Sequence, residues 1–197
     1  DTMLPMSKSL RGYTTAQVFT DGSGYDRFYP MDRKREAGAA LESFIADAGI
    51  PQTIISDNAW ELMGGRSKDV CAKYAIKQKQ IVPHSPWQNR AESSIREIKA
   101  GVRKTLRRSG APSRLWCYCG QWVSAIRRLT ALNIPQLEGK VPEEKVQGHT
   151  PDISPYVQFD FYEAVYYWDL VEGFPGERKR LGRWLGIAES CTDIIAC

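Results

Sequence analysis

A chain of 197 residues, 42% hydrophobic and 25% charged, holds enough apolar material for one good-sized core and a small appendage. No run approaches the roughly 18 to 20 uninterrupted apolar residues that span a bilayer, and the amino terminus lacks the basic-then-apolar order of a secretory signal, so a soluble intracellular protein is expected. Five cysteines (Cys71, Cys117, Cys119, Cys191, Cys197) form no C-x-x-C pair and lie far in sequence from His84 and His149, which argues against structural zinc and for reduced thiols filling the core.

In chain order, Asp1 and a turn over Pro5 to Gly12 precede Tyr13 to Thr20, a stretch rich in Thr, Val and aromatic residues that predicts a strand. Asp21-Gly22-Ser23-Gly24 supplies a turn and Tyr25 to Met31 the returning strand of a hairpin. Asp32 is placed to cap a helix in which Ala37, Leu41, Phe44, Ile45 and Ala48 share one face, and Gly49 and Pro51 stop it. Thr53-Ile54-Ile55-Ser56 suits a buried parallel strand with Asp57 at its carboxyl end, where ligands collect in open α/β sheets. A short helix over Ser67 to Tyr74 and a strand over Lys77 to Val82 follow, closed by Pro83 and Pro86.

After a loop from His84 to Arg90 comes a helix over Ala91 to Arg108, its apolar stripe formed by Ala91, Ile95, Ile98, Val102 and Leu106. Glu92, Arg96, Lys99, Arg103 and Arg107 line its polar face. Ser113 is placed to cap a second long helix running to about Asn133, with Trp116 and Trp122 in its apolar stripe. Beyond Pro135 a Pro-, Gly- and acid-containing segment connects to two short strands, over Phe159 to Leu170 and Arg183 to Ala188. The boundaries expected are a catalytic core over 1–134 with its first strand truncated, a linker over 135–157 and a small β appendage over 158–197.

Charge is uneven along this order. The chain's formal net charge is +4, yet Ser93 to Arg128 holds nine basic residues and one acid, Glu97, a composition that attracts a phosphate backbone or else marks a solvated helix face. The element order can bring three carboxylates to one sheet edge: Asp1 on the first strand, Asp57 after the fourth and Glu92 on a late helix. Clustered carboxylates repel unless a cation neutralises them, and a hard, oxygen-seeking ion such as magnesium suits them. Two such ions roughly 4 Å apart activate the attacking oxygen and stabilise the leaving one in an in-line phosphoryl displacement.

The words around these positions carry a resemblance. Ile54-Ile55-Ser56-Asp57-Asn58-Ala59-Trp60-Glu61 and Pro86-Trp87-Gln88-Asn89-Arg90-Ala91-Glu92 look like the S-D-N-G-x-E and P-x-Q-N-G-x-x-E words of retroviral and retrotransposon integrase cores. Asp1 with Pro5 is similar to that family's first catalytic word, and Phe19 to Tyr25 to a turn of its copia-type branch. Leu115-Trp116, Asn133, Thr150-Pro151 and Arg183-Trp184-Leu185-Gly186 are similar to copia-type elements downstream of the core.

The resemblance implies a ribonuclease H-like α/β fold, with a mixed five-stranded sheet flanked by helices and a small carboxyl-terminal β appendage. It implies that Asp1, Asp57 and Glu92 hold two Mg2+ or Mn2+ ions, that Arg96, Lys99 and Arg103 contact DNA, and that Gln88 and Asn89 touch the DNA terminus from a loop. The implied reaction is processing of element DNA ends and their transfer into target DNA, by a homo-oligomer acting in the nucleus, with no membrane and no small-molecule cofactor. Asp21 competes for the role of first carboxylate but sits in a turn. The sequence also departs from the pattern: Ala59 replaces a glycine, a glycine is missing between Asn89 and Glu92, and 34 residues separate Asp57 from Glu92, one fewer than the family interval. A shortened loop rotates the start of the helix, so a degenerate or domesticated integrase-like DNA-binding protein is the alternative.

Overall fold

Asp21 turns the chain. Its Oδ1 accepts hydrogen bonds from the backbone N–H groups of Ser23 (2.8 Å) and Tyr25 (3.0 Å), so the carboxylate is engaged in building a hairpin. The strands it joins are β2 (Thr15–Thr20) and β3 (Asp26–Met31), paired antiparallel with Val18 opposite Phe28. In this computed structural model the described residues are 1–3, 7–56, 64–81, 90–169, 176 and 178–188. A short β1 (Thr2–Met3) pairs antiparallel with the other edge of β2.

Alternation along β2 gives the sheet two apolar faces. Ala16 and Val18 join Met3 and Phe28 on one face, where Ile95, Ile98 and Trp116 pack; Phe19 and Met31 meet Ala37, Leu41, Ile45 and Val70 on the other. The second face is covered by α1 (Ala37–Ala48) and α2 (Gly65–Lys73). The first is covered by α3 (Arg90–Ser109) and α4 (Trp116–Leu129). Each fully buried Ile on α3 contributes roughly 1.5–3 kcal/mol, enough to hold the helix on the sheet despite its many charges. Gly110, at φ +66°, ends α3.

Several sequence expectations are corrected. The strands β4 (Thr53–Ser56) and β5 (Lys77–Gln80) are parallel neighbours, but among the described residues they form a two-stranded sheet separate from β1-β2-β3 rather than one five-stranded sheet. Nor is β4 a buried strand: Ser56 is buried, whereas Ile55 is 60% exposed. Neither long helix has the expected side-chain cap. Asp32 lies ahead of the 3-10 turn (Lys34–Glu36) before α1, its N–H donating to Glu36 Oε2, and Ser113 lies within a 3-10 turn that precedes α4. Helix α4 ends at Leu129 because Thr130 is extended, four residues short of Asn133.

The segment 135–157 carries a 3-10 turn (Pro135–Leu137), α5 (Pro142–Gln147) and α6 (Ser154–Val157), with Leu137 buried. Arg128 Nε donates to Glu143 Oε2 at 2.8 Å, tying α5 to α4. A hairpin of β6 (Ala164–Trp168) and β7 (Lys179–Arg183) follows. Phe161 and Leu185, on either side of it, pack with Cys119, Val123 and Trp122 of α4.

A two-carboxylate face and the basic helix beside it

Asp1 is fixed by β2. Its backbone nitrogen donates to Val18 O and its carbonyl accepts from Val18 N–H, both at 2.9 Å, a closed pair that puts the two residues on the same face of the sheet. That face is the one covered by α3. Asp1 Oδ1 also accepts the N–H of Thr2 at 2.7 Å.

The first turn of α3, which carries Glu92, is tied to the same strand. Ser94 Oγ donates to Thr20 Oγ1 at 3.3 Å, and Arg90 Nη1 donates to Gly22 O at 2.8 Å, so the first turn of α3 is pinned to the end of β2 and the turn beyond it. Glu92 stands between these two contacts, exposed, in the helix turn where a carboxylate is favoured by the dipole. Asp1 is thus held by Val18, and the helix turn that carries Glu92 is held at Thr20, two residues further along the same strand. Arg90 and Ser94 anchor the first turn of α3, a role that sequence reasoning missed: Arg90 lies inside a recognised word without a role there, and Ser94 belongs to no word.

Asp57 follows Ser56, the last residue of β4, and lies outside the described residues, as do Gln88 and Asn89. Among the described residues no three His, Cys, Asp or Glu side chains come together as a metal site. The donor chemistry of the face fits a hard cation nonetheless. Asp1 and Glu92 offer only oxygen, whereas the described thiols, Cys71, Cys117 and Cys119, are free and buried in the core.

The basic surface is smaller than the sequence count implied. Arg127 Nε meets the buried Asp26 Oδ2 at 2.9 Å and its Nη1 meets Glu97 at 2.6 Å, while Arg128 is buried against Glu143. Arg108 pairs with Asp160 at 2.8 Å. Arg96, Lys99, Arg103 and Arg107 line the helix turns above Glu92, the three arginines exposed and Lys99 half-buried. At 100° per residue these four fall within about 60° of Glu92 around the helix axis. Arg103 Nε donates to Lys99 O at 3.3 Å and Arg96 Nη2 to Ser93 Oγ at 3.3 Å, weak contacts that leave the guanidinium forks able to turn to a phosphate.

A hairpin edged by a short antiparallel strand, a parallel pair and helices on both sheet faces make a mixed α/β architecture similar to that of solved integrase catalytic cores. Two solved structures of the HTLV-2 integrase catalytic core domain in complex with magnesium share it. The trimeric form has a TM-score of 0.58 and 20% identity over 74% of this chain and 92% of its own. The dimeric form has a TM-score of 0.54 and 20% identity, over 77% and 92%. At this identity the likeness is one of fold. No family model matches the chain, and no curated protein matches it.

Proposed function

We propose that this chain is the DNA-processing core of an integrating element, of retrotransposon and copia-type character, that cuts element DNA ends and joins them to target DNA. What supports the reading is an integrase-core-like fold in which Asp1 pairs with Val18 of β2 while the first turn of α3, which carries Glu92 and leads into the basic face, is hydrogen-bonded to the end of the same strand. Asp57, one residue past β4, is the third carboxylate of the proposal. Together the three would hold a pair of Mg2+ or Mn2+ ions, which when bound polarise the phosphate and activate the attacking oxygen.

The chain's own residues supply placement. Arg96, Lys99 and Arg103 hold the phosphate backbone alongside α3, and Gln88 and Asn89 contact the DNA terminus. The pinned turn at Arg90 and Ser94 fixes the start of the helix that carries Glu92, so the reacting phosphate would be met by prearranged charge rather than by groups that must reorganise. The magnesium-bound neighbours support a divalent ion, and their dimeric and trimeric forms support a homo-oligomer. We further propose that the catalytic unit is 1–134, with 135–157 as connector and 158–197 as appendage, and that the protein acts in the nucleus.

The deciding experiment combines metal titration with a strand-transfer assay on oligonucleotides. Mg2+ or Mn2+ should raise the melting temperature of the chain, and Glu92→Gln or Asp57→Asn should remove both that shift and the joined products. Cleavage without joining would instead make the protein a nuclease of the same fold. Binding of DNA with no metal-dependent shift in melting would make it a non-catalytic derivative, the reading that the altered loop before Glu92 favours.

A further inference from the structure

Strand alternation sorts the β6–β7 hairpin into two unlike faces. Tyr166 and Trp168 lie on one face with their cross-strand partners Leu181 and Lys179, and Arg183, opposite Ala164, joins them. This face is open: Tyr166 is 67% exposed, Trp168 70% and Leu181 63%. Large aromatic rings left in water at this density need an explanation, because isolated hydrophobic residues are common on surfaces but paired rings flanked by cations are not.

The hairpin is firmly held at its base. Tyr162 N–H donates to Trp184 O at 2.7 Å and Trp184 N–H to Glu163 O at 2.9 Å, while the Trp184 ring packs on Phe159 with centroids 5.2 Å apart. The rings thus project from a fixed arm. Lys179 Nζ stands over the Tyr166 ring, 4.5 Å from its centroid, and Arg183 Cζ over the Tyr162 ring at 4.9 Å, so each cation lies on one face of its ring. Among the described residues neither a ring nor a cation stands over Trp168.

We propose that this face of the hairpin is a stacking platform for single-stranded nucleic acid. Two same-face residues along a strand are about 6.8 Å apart, which is twice the roughly 3.4 Å separation of stacked bases along one strand. Tyr166 and Trp168 therefore leave room for an unpaired base between or upon them, and Lys179 and Arg183 lie where the adjoining phosphates run. A duplex hides its base faces and cannot use the rings, and an acidic protein partner would use the cations without needing flat aromatic surfaces. The proposal does not depend on the carboxylates of the catalytic reading.

The test uses the full chain carrying Glu92→Gln, so that catalysis is absent, and a dye-labelled short single-stranded oligonucleotide read by anisotropy at high salt. High salt screens phosphate contacts on α3 but leaves stacking in place. Trp168→Ala with Tyr166→Ala should weaken binding about tenfold or more, and Trp168→Phe should restore most of the loss that Trp168→Ala alone causes. Lys179→Gln with Arg183→Gln should flatten the salt dependence. Unchanged affinity in the double alanine variant overturns the proposal. So does equal loss of duplex and single-strand binding, and so does conversion of a dimer to a monomer with nucleic-acid binding intact, which would make a second copy the occupant. Loss of strand transfer in the parent chain, by contrast, bears only on the catalytic reading.

Discussion

Single side chains in this protein can be sorted by what surrounds them, and two sets give firm expectations. Burial pushes the Cys119 thiol up to about 12 from an ordinary 9.0, and burial likewise raises Cys71 and Cys117. A thiol whose folded value lies above its unfolded one keeps its proton while the unfolded chain loses it, so folding stability is full below pH 9 and falls as pH rises from there toward 12. The expected result is alkaline destabilisation, seen as a falling urea midpoint, that is shallower in Cys119→Ala. Peptide mass mapping after iodoacetamide at neutral pH should show Cys71, Cys117 and Cys119 unlabelled until the chain unfolds. Arg127 makes the second case, since Asp26 is fully buried and its Oδ1 has no hydrogen-bond partner among the described residues. Arg127→Ala would leave that carboxylate without its cation and should cost about 3–5 kcal/mol of stability by chemical denaturation. Its direct effect on DNA affinity should be small, because the guanidinium is spent on Asp26 and Glu97.

At the scale of elements, what could be read from the sequence was what periodicity controls. The hairpin of β2 and β3 and helix α3 were legible because their apolar residues repeat at two and at three-to-four, and because Asp21 and Gly110 mark their ends. Helix α4 was half legible. Of its expected stripe Trp116 is buried and Trp122 half-buried, yet Gly120, Ser124 and Arg128, which a stripe model leaves in water, are buried too. The helix is enclosed on several sides, by β3, α3 and α5, and a pattern built for one buried face misses that. Gly120 is the signal that could have shown it: a Cβ there would come within 2.5 Å of the Phe28 ring. Gly120→Ala should therefore lower stability by about 1–3 kcal/mol, and Phe28→Leu in the same chain should recover part of the loss. Purely additive losses in the double variant would mean that the glycine serves something other than the approach of helix to strand.

For the whole molecule, charge and topology decide how far the candidate site can be read. The words around Asp57 and Glu92 were visible without a structure, and the mixed α/β fold that they imply is the one found. The joining of strands was not visible, because whether β4 meets β1 depends on ladder bonds between residues distant in sequence. Nor was the division of the cations, since Arg127 and Arg128 sit in the same charged stretch as Arg96 and Lys99 but are neutralised by Asp26 and Glu143, far away in the chain. This division makes the last expectation specific. If the nucleic-acid surface is the α3 face, affinity for duplex DNA should fall with log salt at a slope of roughly 0.9 per phosphate neutralised. Arg96→Ala with Arg103→Ala should reduce that slope by about two contacts' worth and weaken binding at low salt, with no change in the urea midpoint because both side chains are exposed. Arg127→Ala should do the reverse, leaving the slope and lowering the midpoint. A common response of both variants in both measurements would show that the buried and exposed cations act as one surface, and would remove the α3 face from the proposed mechanism.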